Sequence, residues 1–112
     1  MSAPHDQLLG LHKALLAWER LSYERMHGRL SDGEFLDALT KDPWLAWINP
    51  LTTLIAASEE FDAAEISQRL RRLLVADPAG DEFQQRYAAA LQQSPDVVMA
   101  HAALMRALPK KR

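Results

Sequence analysis

The stretch that most constrains the fold is residues 42–61, which holds two of the chain's three tryptophans and its longest apolar stripe. Apolar side chains recur there at spacings of three and four, the period of one face of an α-helix. They are Trp44, Trp47, Ile48, Leu51, Leu54 and Ile55, followed by Ser58. Asp42 can cap the first turn, and Pro43 stands where a missing N–H costs nothing. We therefore predict a central helix around which the other segments pack.

Pro50 interrupts this predicted helix, because an interior proline removes a backbone hydrogen bond and strains the turn before it. The sequence allows either one kinked helix or two helices, with Asn49 capping the second. The apolar stripe keeps its phase across the proline, since Ile48, Leu51 and Ile55 are spaced i, i+3 and i+7. Two independent helices would have no reason to share a phase, so we favour one proline-kinked central helix.

Composition favours a single all-helical domain. The 112 residues are enough for one core, and alanine and leucine are frequent whereas the strand-favouring Val, Ile and Thr are few. The net charge of −2, with both signs interspersed, offers no general attraction for nucleic acid or an anionic membrane. No signal-peptide pattern opens the chain, and no apolar run approaches the roughly 18 residues of a membrane span. We expect a soluble cytoplasmic protein that binds neither nucleic acid nor membranes.

Caps and periodicity divide residues 1–108 into a compact bundle of five or six helices. Ser31 and Glu34 have capping-box spacing, and residues 77–80 (Asp-Pro-Ala-Gly) are the clearest loop. The predicted helices cover about residues 4–27, 32–41, 43–61, 63–74, 81–92 and 95–108. Residues 109–112 form a basic C-terminal tail that we expect to be disordered.

Three ionisable side chains lie inside apolar stripes, His12 and Glu19 in the first predicted helix and His101 in the last. Tyr23 lies one turn after Glu19 and can offer it a hydrogen bond. One interpretation is a buried polar network whose members satisfy each other. A ligand pocket or a metal site built from these four residues stays open as the alternative. His12 and Glu19 are about 10 Å apart along the helix, too far for one ion to bridge directly, so we favour the network.

Glu24 and His27 form a Glu-x-x-His pair on the first predicted helix. Two such pairs from two helices build a di-iron site in a four-helix bundle. The chain has only this one pair, and Glu24 falls away from the apolar stripe, so we interpret the pair as a surface feature near a helix end. No phosphate loop, nucleophile elbow or zinc spacing occurs either. We therefore predict no metal, no cofactor and no catalytic residue.

The apolar stripes are wide for a chain of this size. Leu11, Trp18 and Phe35 lie at their edges, where we expect them to form an exposed flank suited to a partner. This flank predicts a non-catalytic protein–protein interaction or self-associating module, a homodimer or the partner of another protein. A small-molecule or metal-binding bundle centred on the His/Glu/Tyr cluster remains the alternative.

Four segments taken together resemble a known family. They are ERLSYERMHG at residues 19–28, DPWLAWINPL at 42–51, FQQRY at 83–87 and PDVVMAHA at 95–102. In this order they resemble a family of short bacterial proteins of unknown function, over nearly the whole chain. The resemblance implies a small helical bundle. It implies no activity and supplies no catalytic residues.

Overall fold

The structure is a computed structural model that describes residues 4–108. Within those residues the chain forms helices and no strand, which confirms the all-α bundle. The helices are α1 Pro4–His27, α2 Asp32–Lys41, α3 Asn49–Ala57, α4 Ala63–Leu73, α5 Glu82–Gln93 and α6 Pro95–Ala107, with short 3₁₀ segments at Pro43–Ile48 and Ser58–Glu60. The predicted tail at 109–112 lies outside the described residues, as do the first three residues.

The helices begin and end at the side chains that the sequence offers as caps. Ser31 Oγ accepts a hydrogen bond from Glu34 N at 3.2 Å, and Glu34 Oε1 accepts one from Ser31 N at 2.8 Å. Asp81 and Gln84 form the same reciprocal capping box at the start of α5. These bonds satisfy N–H groups that have no partner inside the helix. The predicted helix boundaries are therefore confirmed to within a residue or two here.

The central segment stays helical across Pro50 but changes its type of helix. Asp42 Oδ1 accepts from Trp44 N at 2.9 Å and starts the 3₁₀ segment Pro43–Ile48. Ile48 has φ −77° and ψ −16°, so the right-handed backbone continues directly into α3. Pro50 then lies in the first turn of α3, where a backbone N–H has no intrahelical partner to lose. Ile48 and Leu51 are both buried, so the apolar stripe keeps its phase across Pro50.

The core lies between α1, α6 and the central segment. α1 and α6 form the most extensive helix pair, and α1 also packs on α3. The buried apolar residues include Leu8, Leu11, Leu15, Trp47, Ile48, Leu51, Phe83, Tyr87, Val97 and Leu104. None of the helices within residues 4–108 combines the length and the apolar character needed to cross a lipid bilayer.

Trp44 does not belong to this core, and its assignment to the buried stripe is wrong. Its side chain is 52% exposed, whereas Trp47 is buried. In a 3₁₀ helix residues i and i+3 lie on the same side. Trp44 therefore lies on the same side of the 3₁₀ segment as Trp47, one turn nearer its start. The guanidinium of Arg86 packs over the Trp44 ring, 3.8 Å from its centroid.

Gly28 and Gly33 provide a matched test of this geometry. Gly28 ends α1 with φ +85°, in the left-handed region, whereas a Cβ added to Gly33 in α2 meets nothing within 4 Å. We expect Gly28→Ala to lower the free energy of unfolding by about 1–2 kcal/mol, because alanine is strained in that region. Gly33→Ala should raise it by about 0.5–1 kcal/mol. Urea denaturation measures both, and a Gly28→Ala protein as stable as the wild type would contradict the described end of α1.

Candidate functional site

Each of the four predicted site residues forms its hydrogen bond or ion pair with a different side chain. In the described part of the chain, no hydrogen bond or ion pair joins any two of them. His12 Nε2 lies 2.8 Å from Thr52 Oγ1, and Glu19 lies 3.5 Å from Arg86. Tyr23 lies 2.6 Å from Asp42, and His101 lies 2.5 Å from Tyr87. Within residues 4–108, hydrogen bonds and ion pairs therefore do not connect the four side chains into one network.

Glu19 is buried, as the sequence predicts, with only 1% of its surface exposed. Its Oε1 lies 3.5 Å from Nη1 of Arg86 on α5. Burial raises the pKa of the Glu19 carboxyl above 4.5, while the charge of Arg86 and the nearby indole N–H of Trp47 lower it in part. Among the described residues neither Glu19 Oε2 nor Trp47 Nε1 completes a hydrogen bond. The carboxyl is thus enclosed but incompletely satisfied.

Arg86 connects this buried carboxyl to the surface. Its guanidinium packs on the ring of Trp44 at 3.8 Å, and its Nη2 lies 3.7 Å from Glu82 one turn earlier in α5. The sequence did not identify Arg86 as a site residue. Its spacing of three from Phe83 and four from Ala90, both buried, places it on the inner side of α5, but no spacing indicates that its partner is Glu19.

A carboxyl with a raised pKa can act as a general acid, but only where a substrate reaches it. Glu19 has almost no exposed surface, so a molecule arriving from solvent cannot contact it. The geometry instead gives Glu19 a positioning role: it holds Arg86 against Trp44.

The sequence suggests Glu19 as the hydrogen-bond partner of Tyr23, but in the structure that partner is Asp42. The Tyr23 hydroxyl donates to Asp42 Oδ2 at 2.6 Å, and the Tyr23 ring stacks on His27 with centroids 4.2 Å apart. That hydrogen bond, together with the one from Trp44 N, lowers the pKa of the Asp42 carboxyl. Tyr23 therefore ties the end of α1 to the junction before the 3₁₀ segment.

Glu24 has a structural role in the same region. It accepts hydrogen bonds from Leu30 N at 3.0 Å and from Arg20 Nε at 3.3 Å, and the former is the main reason that its pKa is lowered. Its oxygens thus brace the turn between α1 and α2. Over residues 4–108, no group of three or more His, Asp or Glu side chains is arranged to hold a metal ion.

The buried Tyr87 and the half-buried His101 form a pair between α5 and α6. Burial raises the pKa of the Tyr87 hydroxyl and lowers the pKa of the His101 imidazole. Both shifts favour the uncharged forms, and the Tyr87 hydroxyl and Nδ1 of His101 share a hydrogen bond. This pair resembles the satisfied polar network that the sequence favours, with a partner that the sequence did not identify.

The predicted apolar flank of Leu11, Trp18 and Phe35 is accessible only at Trp18, and there only in part. Leu11 and Phe35 are buried, and Trp18 is half-buried with its ring edge-on to Trp47, centroids 6.4 Å apart. The prediction is wrong for Leu11 because α6 and α3 both pack on α1, and wrong for Phe35 because α2 places it against the Arg20 guanidinium at 5.4 Å.

A surface lined by both apolar and polar side chains is open beside α1. It is a cleft of about 630 Å³ between α1 and the junction of α5 with α6, here called the α1–α6 cleft. Its walls include Ala14, Ala17, Leu21 and Arg25 from α1, and Gln93, Pro95 and Asp96 from the junction. Leu21 is 59% exposed, and Met99, one turn after Pro95, is 71% exposed. Of the three residues that the sequence predicts for a partner surface, Trp18 lines this cleft, whereas Leu11 and Phe35 do not.

Comparison of the chain with models of protein families, with curated proteins and with solved structures returns no match. A helical bundle does not by itself specify an activity, because one architecture carries many unrelated functions. Function must therefore be inferred from the surfaces and side chains described above.

Glu19 can be tested by substitution. We expect Glu19→Ala to lower the free energy of unfolding by about 1–3 kcal/mol, because Arg86 loses its buried partner and a void remains. Glu19→Gln should cost less, since the amide keeps the shape and can still hydrogen-bond. Thermal and urea denaturation measure both. A Glu19→Ala protein that melts at or above the wild type would contradict the positioning role.

The pH dependence of stability follows from the raised pKa of Glu19. The folded protein holds this proton more tightly than the unfolded chain, so the contribution of Glu19 to stability is complete below about pH 4.5 and is lost as the pH rises through the folded pKa. We expect the melting temperature of the wild type to fall relative to that of Glu19→Gln between about pH 4 and pH 7. A relative rise would mean that the attraction of Arg86 outweighs the effect of burial.

Proposed function

We propose that the protein is a non-catalytic, self-associating module whose homodimer forms through the α1–α6 cleft. The supporting observation is the exposure of Leu21 and Met99, at 59% and 71%, on the two helices that form the most extensive pair in the bundle. Covering long apolar side chains that are exposed beside a cleft removes apolar surface from water, which favours a contact there.

The charges of the cleft favour a second copy of the chain as the partner. Arg25 and Asp96 both line it, and neither takes part in an ion pair within residues 4–108. In a two-fold dimer, if residue i of the first copy contacts residue j of the second, then residue j of the first copy also contacts residue i of the second. Arg25 of each copy can therefore face Asp96 of the other. A surface with one charge of each sign is complementary to itself.

Cytoplasmic location and membership of the bacterial family that the four motifs resemble are further parts of this proposal. The chain has no cysteine, which is compatible with a reducing compartment. The four motifs lie in α1, in the central segment, in α5 and in α6, so they span the elements that form the core.

The substitution Leu21→Glu tests the dimer. We expect the wild type to scatter light as a dimer at high micromolar concentration, and Leu21→Glu to raise the dissociation constant at least about tenfold by burying an unpaired charge. Leu36→Glu is the matched control, because Leu36 is 62% exposed on α2, outside the cleft. Circular dichroism checks that both variants are folded. A wild type that remains monomeric would refute self-association.

Charge reversal tests the arrangement of the two copies. Arg25→Asp and Asp96→Arg should each weaken the dimer, since each places like charges opposite one another. The double variant should recover most of the wild-type affinity, because the pair is restored with its signs exchanged. Sedimentation velocity measures the three constants. A double variant no tighter than the weaker single variant would exclude the Arg25–Asp96 pairing.

A further inference from the structure

A cavity of about 250 Å³ lies near the beginning of α1, away from the α1–α6 cleft. Its walls combine apolar side chains with one histidine–serine pair and one carboxylate: Leu8, Phe61, Ile66, His5, Ser58 and Glu59. An apolar cavity of about 150 Å³ is already large enough for benzene. This cavity can therefore hold a small organic molecule of one ring.

The hydrogen bonds around Ser58 determine what the cavity offers to such a molecule. Ser58 Oγ donates its one hydrogen to the carbonyl of Ile55 at 2.8 Å. His5 Nδ1, 3.1 Å from the same oxygen, must then donate to it. In the tautomer that carries its proton on Nδ1, Nε2 of His5 is a hydrogen-bond acceptor. Ser58 cannot pass its proton to His5 in this arrangement, so the pair is not an activated nucleophile.

The charge near the cavity is negative. Glu59 lines it, and Glu60, the next residue, is exposed. Arg69 packs over Phe61 at 4.3 Å, but its Nε is paired with Glu65 at 2.9 Å. A cation entering the cavity thus meets a carboxylate, whereas an anion is repelled by it.

We propose that this cavity binds a small organic amine. The apolar body of the amine packs against Leu8 and Ile66, and its ammonium group donates to Nε2 of His5 and pairs with Glu59. The proposal combines an apolar space, one free acceptor and one carboxylate. It is independent of the proposed dimer, because the cavity and the α1–α6 cleft share no lining residue.

Benzylamine, toluene and benzoate form a suitable set of probes, since they share one ring and differ in charge. We expect benzylamine to cause saturable shifts of the Leu8 and Ile66 methyl signals in NMR spectra of the full chain, with a dissociation constant below about 1 mM. Toluene should bind more weakly, and benzoate should not bind. No saturable shift with benzylamine, or equal affinity for benzylamine and benzoate, would overturn the proposal.

Three variants locate the two polar contacts. His5→Phe keeps a ring but removes the acceptor, and Glu59→Gln removes the charge; each should lower benzylamine affinity about three- to tenfold. Glu60→Gln is the matched control, because Glu60 carries the same charge but does not line the cavity, and it should change the affinity less than about twofold. A loss in Glu60→Gln equal to that in Glu59→Gln would show a nonspecific acidic surface and refute the site. Because Glu59 is exposed, its variant should fold even if His5→Phe does not.

Discussion

Leu8, Leu11 and Leu15 of α1 have no exposed surface, and both α6 and α3 pack on the helix that carries them. α6 pairs along α1, and α3 packs on it as well, so the burial of α1 determines where these elements lie. Ser94 is the one residue between α5 and α6. The tight connection places the start of α6 beside the second half of α1. The packing that covers Leu11 therefore also leaves Leu21 at the edge of an open cleft.

The Glu19–Arg86 pair contributes differently from the apolar contacts. Removing a carboxylate from water is costly, and a 3.5 Å ion pair recovers only part of that cost, which is why burial dominates the pKa of Glu19. Such a pair adds little net stability, yet it penalises packings that leave either charge alone. It joins α1 to α5, and through Trp44 and Trp47 it reaches the central segment. We infer that its main effect is to select one arrangement of these three elements.

Helix ends were predictable because their causes are local. Ser31 and its partner Glu34 lie three residues apart, so the sequence shows the whole cap, and the burial of Glu19 follows from helical period in the same way. Contacts between helices were not predictable in this way. Whether Leu11 is covered depends on which helices cross α1, and no spacing within the chain reveals that Arg86 meets Glu19 across 67 positions. The candidate site therefore emerged only from the tertiary structure.

The cavity and the cleft lie on different parts of one helix. His5 and Leu21 are separated by roughly 24 Å along α1 at 1.5 Å per residue. The two surfaces can influence each other only through α1 or through the elements packed on it. An amine that fills the cavity without moving α1 would leave the dimer constant unchanged. An amine that displaces α1 would alter dimerisation, and dimerisation would then alter amine affinity by the same factor, because coupling between binding sites is reciprocal.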